Sequence, residues 1–106
     1  MIENGYAVIF SSELDDIDAP AYHEFSTALQ QEVTTMPGFL GMESYRSADG
    51  KGVTISYWES KEAIANWKNH EVHQAAQHYG KTIAYTSYTL RVCKIERAYQ
   101  FNNQKE

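Results

Sequence analysis

The chain of 106 residues contains a single cysteine, two prolines and no long hydrophobic segment. One cysteine, Cys93, cannot form an internal disulfide and leaves no cysteine cluster for zinc. The longest uninterrupted apolar run, Tyr6 to Phe10, has five residues, whereas a membrane-spanning helix needs about 20. The N-terminus also lacks the basic residue and following apolar stretch of a secretion signal. We therefore expect a cytoplasmic protein that contacts no membrane.

Lysine and arginine are absent from residues 1–45, which hold eight acidic residues. Residues 46–106 hold all nine basic residues and the other six acidic residues, within a net charge of −5 for the whole chain. Nucleic-acid-binding proteins usually concentrate their basic residues in a stripe, and here these residues are scattered singly. The charge distribution predicts no nucleic-acid partner.

The composition is that of a folded domain, with 42% hydrophobic residues, 22% charged residues and only 6 glycines. These values exclude collagen-like, low-complexity and disordered chains. A chain of this length usually forms one hydrophobic core, and no repeat or linker interrupts the sequence. We predict a single domain over residues 1–106, with its core at about residues 5–97.

Periodic apolar residues predict a strand and then a helix in the first third of the chain. Residues 6–11 are β-rich and apolar on both parities, which suits a strand covered on both faces. The acid-rich segment of residues 12–18 is typical of a loop, and Pro20 suits the first position of a helix. Apolar residues then recur at steps of three and four as far as Pro37-Gly38, as in an amphipathic helix: Tyr22, Phe25, Leu29, Val33 and Met36.

A hairpin, a second helix and a last strand are predicted next. Two β-rich arms, residues 39–46 and 53–59, flank the turn residues 47–52, which include two glycines. Ser60 suits the N-cap of a helix, whose pattern is expected to kink and restart at Asn69-His70. Residues 85–99 form a β-rich run whose apolar residues change parity, which predicts a bulge or a strand buried on both faces.

The order β-α-β-β-α-β predicts the α+β class with a ferredoxin-like antiparallel sheet. Helices in this fold cover one face of the sheet, so a monomer needs a polar second face. The first strand, the last strand and residues 53–58 instead carry apolar residues on both faces, and monomers seldom expose such a patch. We therefore predict that an identical chain covers the second face, so that a homodimer forms a closed two-subunit barrel.

The segment from Tyr57 to His73 resembles antibiotic biosynthesis monooxygenase domains, one of the dimeric α+β barrel families. The shared features are the strand end Trp58-Glu59-Ser60, the helix start Glu62-Ala63, and Trp67 followed by histidines. Met36-Pro37-Gly38-Phe39 is similar to the family's entry into its second strand. The resemblance implies a dimeric α+β barrel and cofactor-independent oxidation of phenolic or quinol substrates by O2, although many members have no known activity.

Haem-degrading enzymes form another branch of the same family, and they resemble this chain around Trp67. Their site also needs an Asn on the first strand and a His ten residues after the Trp. This chain has Gln77 at the tenth position, which cannot ligate iron as imidazole does. Its first strand offers Phe10 and Ser11 instead of Asn. Haem degradation is therefore disfavoured.

Three polar residues, His70, His73 and Gln77, are spaced at i, i+3 and i+7 and fall on one helical face. Since histidine titrates near neutral pH, His70 and His73 are candidate general bases or substrate hydrogen-bonding groups. A metal site is disfavoured, because no acidic residue or cysteine at suitable spacing completes it. The alternative interpretation is a polar outer face, or a histidine that caps backbone groups at the kink.

The candidate substrate-binding residues are Trp67, Asn66 and Tyr57. Trp67 is either an aromatic wall for a planar ligand or part of the core. Asn66 either holds a substrate hydroxyl by hydrogen bonding or is simply exposed, and Tyr57 is a sheet residue able to line a cavity. Cys93 is expected to be a buried apolar residue of the last strand.

Two functions of different class follow from these residues. The first is a cofactor-independent monooxygenase of an electron-rich aromatic, with His70 or His73 as base, Trp67 as wall and Asn66 as orienting group. The second is a non-catalytic dimeric barrel that binds a small hydrophobic ligand or serves as a stress-related interaction module. A histidine that points into a closed cavity favours the enzyme, whereas histidines that face solvent favour the binder.

Overall fold

The computed structural model describes residues 1–14, 20–79 and 85–103. No helix in this part of the chain has the length and apolar character that crossing a bilayer requires. The described residues form four strands and three helices in the order β1 (Tyr6–Leu14), α1 (Pro20–Val33), β2 (Phe39–Arg46), β3 (Lys51–Trp58), α2 (Lys61–Lys68), α3 (Glu71–Tyr79) and β4 (Tyr85–Lys94).

The four strands form one antiparallel sheet with the order β2-β3-β1-β4. The predicted β2–β3 hairpin is confirmed. Its turn is closed by a hydrogen bond of 2.8 Å from the Ser47 N–H to the Lys51 carbonyl. Gly50 in this turn has a φ of +92°, a conformation that suits a residue without a Cβ. With the helices on one face of the sheet, the molecule has the α+β ferredoxin-like architecture that the sequence predicts.

The face of the sheet that packs against the helices, here called the inner face, holds the core. Val8 of β1 and Trp58 of β3 pack there with Val33 of α1 and Ala63 of α2. Trp58 is only 1% exposed. Truncation of a buried tryptophan to alanine typically costs about 3–5 kcal/mol, so Trp58 is a principal anchor of the helix layer.

Gly38 brings the loop after α1 into contact with the start of α2. Its φ is +84°, and a Cβ at this position would lie 2.6 Å from the Cβ of Ala63. The carbonyl of Gly38 accepts a hydrogen bond of 2.8 Å from the Glu59 N–H. This close approach fixes the end of β3 directly before α2 begins.

The opposite, outer face of the sheet carries Ile9 of β1 together with Val53, Ile55 and Tyr57 of β3. These four side chains are only partly buried in the single chain. The apolar residues expected on both faces of residues 53–58 are therefore divided. Trp58 faces the helices, and the other three face away from them.

Three local predictions about the strands are wrong. Residues 12–14 continue β1 instead of starting a loop, because each pairs with β4 and the first two also pair with β3. β4 ends at Lys94 instead of residue 99, at the point where its partner strand begins with Tyr6. The pairing of β4 with β1 shifts register between Glu13 and Leu14 of β1. The shift does not lie where the apolar residues of β4 change parity.

The burial predicted for the last strand is also wrong. Leu90 and Val92 are 51% and 49% exposed, and Cys93 is an exposed free thiol. The physical reason is that β4 is an edge strand, so it has a neighbouring strand on one side only. Its apolar side chains are accessible in the single chain.

Candidate functional site

The predicted interruption of the second helix at Asn69-His70 is confirmed, since α2 ends at Lys68 and α3 begins at Glu71. The break brings together Trp67, His70 and His73, here called the Trp67 cluster. The ring centroid of Trp67 lies 5.5 Å from that of His70 and 5.0 Å from that of His73. One flat aromatic ring therefore lies beside two groups that exchange protons near neutral pH.

The break is stabilised by hydrogen bonds that satisfy the last carbonyl groups of α2. The His70 N–H donates to the Trp67 carbonyl at 3.0 Å. The side-chain Nε2 of Gln74 donates to the Lys68 carbonyl at 2.8 Å, a group that has no intrahelical partner at a helix end. The Gln74 N–H in turn donates to the His70 carbonyl at 2.9 Å, which starts α3. His70 is thereby fixed at the junction of the two helices.

Trp67 is positioned by the start of α2. Ser60 caps this helix, with its Oγ accepting a hydrogen bond of 3.1 Å from the Ala63 N–H, and Ala63 is buried in the core. Trp67 follows one helical turn after Ala63 on the same face and packs partly buried against the core. The indole ring is therefore anchored by the core and still partly accessible.

His73 is held in its neutral form. Its Nδ1 lies 2.6 Å from Nε2 of Gln77, one turn further along α3. Because an amide nitrogen donates, Nδ1 accepts, and the neutral ring carries its proton on Nε2. Burial lowers the pKa of His73, and this effect outweighs a hydrogen bond to the Lys68 carbonyl, which favours the protonated ring. In this tautomer both ring nitrogens of His73 are engaged, Nδ1 by Gln77 and Nε2 by the Lys68 carbonyl.

His70 has a different environment, because it contacts a carboxylate. Its Nε2 lies 3.2 Å from Oε1 of Glu32 at the end of α1, and the two side chains are 29% and 40% exposed. The pair connects the helix break to α1, which packs against α3. Exposed ion pairs of this kind contribute at most about 1 kcal/mol to stability.

The structure does not bring the other two candidate residues into the Trp67 cluster. Asn66 precedes Trp67 on α2, about 100° round the helix, and is exposed. Tyr57 lies on the outer face of the sheet, where its hydroxyl donates to Oε1 of Glu43 at 2.7 Å. The Tyr45 hydroxyl donates to the other oxygen of this carboxylate at 2.9 Å. The two tyrosine hydroxyls lower the pKa of Glu43 and keep it ionised.

Two shallow depressions lie outside the Trp67 cluster. One of about 430 Å³ lies between β2 and the C-terminal segment and is lined by residues that include Gly41, Tyr57 and Tyr99. The other, of about 400 Å³, runs along α1 beside His23 and Glu24. Trp67, His70 and His73 line neither of them.

Across residues 1–14, 20–79 and 85–103, no group of three or more His, Cys, Asp or Glu side chains is arranged to hold a metal ion. His70 and His73 are both partly buried and line neither of the two depressions, so they match neither the histidine in a closed cavity that favours the enzyme nor the solvent-facing histidines that favour the binder. Two imidazoles beside an aromatic ring can transfer protons and form hydrogen bonds.

The order of the strands and the layer of helices define the class of the protein, which is an α+β ferredoxin-like domain. The chain belongs to the antibiotic biosynthesis monooxygenase family, whose model matches residues 6–79. This confirms the resemblance noted in the segment from Tyr57 to His73.

Relatives differ in how much is known of them. YqjZ of Bacillus subtilis, an uncharacterized protein, is 47% identical over 92 residues, which cover 87% of this chain and 80% of YqjZ. The jasmonate monooxygenase ABM of Pyricularia oryzae is 24% identical over 102 residues. That match covers 94% of this chain but 47% of the fungal protein, so this chain spans about half of its length.

Solved structures show the same fold. SnoaB, a cofactor-independent oxygenase from Streptomyces nogalater, superposes with a TM-score of 0.74 at 12% sequence identity. The superposition covers 88% of this chain and 94% of SnoaB. At this identity the similarity establishes the shared fold alone.

Sequence reasoning missed one residue of this region, Glu32. It precedes the core residue Val33 on α1, and its partner His70 lies 38 positions further along the chain. No local spacing pattern connects residues so far apart. The pair depends on the packing of α1 against α3, which periodicity alone does not specify.

The environment of His73 predicts a pH dependence of stability. Its pKa is lower in the folded protein than in the unfolded chain, because burial disfavours the imidazolium. The unfolded chain therefore binds more protons below about pH 6.5, and the free energy of unfolding decreases as the pH falls through this range. Urea unfolding between about pH 5 and about pH 8 should show this decrease in the wild type and a smaller one in His73→Gln.

His23→Gln is the matched control, because His23 is an exposed residue of α1. This variant should keep the pH dependence of the wild type. Equal slopes for His73→Gln and the wild type would contradict the buried, neutral state of His73.

Proposed function

We propose that this protein is a cofactor-independent monooxygenase that oxidises a small electron-rich aromatic, a phenol or quinol, with O2. The Trp67 cluster is the observation that carries the proposal. It sets an anchored indole beside two imidazoles with different environments, in a chain of the antibiotic biosynthesis monooxygenase family. The description of SnoaB as a cofactor-independent oxygenase, and the name of the jasmonate monooxygenase, support an oxygenase within this fold.

The proposed reaction begins when a base removes the phenolic proton of the substrate. The phenolate passes one electron to O2, and the resulting radical and superoxide combine at a ring carbon that bears hydrogen. Cleavage of the O–O bond then leaves one oxygen atom on the ring as a quinone carbonyl. The other oxygen leaves as water with the phenolic proton and the ring proton. The substrate supplies all four electrons, so phenol plus O2 gives quinone plus water without another reductant.

The residues of the Trp67 cluster are assigned separate roles in this reaction. His70 is the first candidate base, since its ring lies beside that of Trp67 and 3.2 Å from the carboxylate of Glu32. His73 is the second candidate base, and Trp67 is the aromatic wall against which the substrate ring stacks. Asn66 is proposed to hold a substrate hydroxyl at the exposed rim. Tyr57 takes no part, because its hydroxyl is engaged on the opposite face of the sheet.

We predict that the double variant His70→Ala, His73→Ala loses oxygen uptake with quinols by about 100-fold, the usual contribution of general acid–base catalysis. Oxygen consumption and quinone absorbance are measured together over a panel of phenols and hydroquinones. The double variant His23→Ala, His78→Ala changes two exposed histidines and should keep the wild-type rate. Unchanged turnover in the first double variant would contradict the assignment of the base.

The alternative function, a non-catalytic barrel that binds a small hydrophobic ligand, is tested by the same panel of phenols and hydroquinones. A wild-type protein that binds these compounds saturably but consumes no O2 with any of them is a binding protein. That result would replace the monooxygenase proposal with the non-catalytic barrel.

We also propose that the active form is a homodimer in which two copies pair through the outer face of the sheet. One row across this face carries, in order, Glu43 of β2, Ile55 of β3, Ile9 of β1 and Arg91 of β4. The row is apolar at its centre and oppositely charged at its ends. A two-fold axis parallel to the strands sets Glu43 of each copy opposite Arg91 of the other, which makes the face self-complementary.

We predict a dimer by sedimentation velocity at micromolar concentration. Glu43→Arg and Arg91→Glu should each shift the population toward monomer, because each places like charges opposite one another. The double variant restores opposite charges and should recover the dimer. A monomeric wild type, or a double variant weaker than both single variants, would contradict this mode of pairing.

Within this proposal the protein acts in the cytoplasm. Cys93 is the one cysteine of the chain and is a free thiol, which persists in a reducing compartment.

A further inference from the structure

Arg46, the last residue of β2, lies across the inner face of the sheet. Its partner on β3 is Gly52, where a Cβ would lie 2.8 Å from Cζ of Arg46, so only a residue without a side chain lets the guanidinium cross β3. Nη2 of Arg46 then donates to Oγ of Ser12 on β1 at 2.5 Å. Nη1 donates to the carbonyls of Gly50 and Ser12. The guanidinium is therefore fixed in place and is partly buried.

The positive charge of Arg46 has no carboxylate partner within residues 1–14, 20–79 and 85–103. Its hydrogen bonds all go to uncharged oxygen atoms. Asp49 in the adjacent turn accepts instead from the Ser47 hydroxyl and the Lys51 N–H. None of the hydrogen bonds of Arg46 uses its Nε–H group, and Nη2 carries a second N–H group. Neighbouring guanidinium donors of this kind fit the two oxygens of a carboxylate.

Four aromatic rings, here called the aromatic cluster, lie next to this guanidinium on the inner face: Tyr22, Tyr85, Phe10 and Tyr88. Cζ of Arg46 lies 5.9 Å from the ring centroid of Tyr22, which lies 6.3 Å from that of Tyr85. The Phe10 ring lies 5.3 Å from Tyr85 and 5.2 Å from Tyr88.

Tyr88 is the accessible member of the aromatic cluster, since it is 39% exposed. It pairs in register with Ser12, the residue that holds the guanidinium, so the ring of Tyr88 and the charge of Arg46 belong to neighbouring positions of the sheet. Leu90 pairs with Phe10 in the next position of the same face and is 51% exposed. A fixed cation therefore lies beside an apolar surface that a ligand can reach.

We propose that Arg46 and the aromatic cluster form a binding site for a small aromatic carboxylate. The guanidinium pairs with the carboxylate through Nε and Nη2, and the ligand ring packs against Tyr88 beside Leu90. One guanidinium matches one planar anionic group, and the adjacent rings favour an aromatic body. The site is built on β1, β2, β4 and α1, whereas the Trp67 cluster belongs to α2, α3 and the break between them. Binding here does not depend on the proposed oxygenase reaction.

The experiment is an NMR titration of the ¹⁵N-labelled chain at about pH 7, where carboxylic acids are ionised. Naphthalene-2-carboxylate is the probe, and naphthalene-2-carboxamide is its uncharged match with the same rings. The Arg46 Nε–H signal and the Trp67 indole N–H signal report the two sites, and Arg46→Gln identifies the first. Arg46→Lys and Tyr88→Ala complete the set. Arg97→Gln is the control, because Arg97 is an exposed residue beyond β4.

We predict a saturable shift of the Arg46 Nε–H signal with the carboxylate, and an affinity for the carboxamide that is lower by about tenfold or more. Arg46→Gln should weaken carboxylate binding about tenfold and leave carboxamide binding unchanged. Arg46→Lys keeps the charge but loses the planar pair of donors, so it should recover part of the affinity. Tyr88→Ala should weaken both ligands by a similar factor, because it removes ring contacts only. Arg97→Gln should match the wild type.

Equal affinities of the wild type for the carboxylate and the carboxamide would overturn the inference. So would the absence of saturable binding, or a saturable shift at Trp67 without one at Arg46. A folded Arg46→Gln with unchanged carboxylate affinity would show that Arg46 only ties the hairpin turn to β1. If Arg46→Gln does not fold, the comparison of the two ligands on the wild type and on Tyr88→Ala still decides, because Tyr88 is exposed at the sheet edge.

Discussion

Burial of Trp58 on the inner face of the sheet anchors α1 and α2, and α2 carries Trp67. The indole packs with Val33 at the end of α1 and Ala63 at the start of α2. Gly38 lets the backbone approach Ala63 more closely than a side chain would allow. Ser60 caps α2 two residues after Trp58, and this fixes how the helix is rotated about its axis. Trp67 follows Ala63 by one turn and therefore lies on the same, core-facing side of the helix.

At the break between α2 and α3, side chains that can transfer protons lie beside the packed ring of Trp67. The rings of His70, at the break, and of His73, after it, both lie beside the ring of Trp67. The two imidazoles differ because their neighbours differ. Gln77 and burial keep His73 neutral, and Glu32 supplies a negative charge beside His70.

Periodicity was sufficient to predict the order of the elements, the hairpin and the helix break, because each depends on residues close in sequence such as Ser60 and Asn69-His70. It was insufficient where the outcome depends on pairing between distant strands. Residues 12–14 extend β1 because β4 and β3 offer partners, and Cys93 is exposed because β4 lies at the edge. The histidines and Trp67 were found from spacing, but Glu32 was not, since only the packing of α1 against α3 brings it to His70.

The central claim is that an aromatic substrate binds at the Trp67 cluster, and NMR titration without O2 tests it most directly. Adding hydroquinone to ¹⁵N-labelled protein under anaerobic conditions allows binding without turnover. We expect saturable chemical-shift changes of the Trp67 indole N–H and of the His70 and His73 ring signals, with one dissociation constant for all three. Shifts confined to the depression beside Gly41 and Tyr99, or no saturable shifts at all, would contradict it.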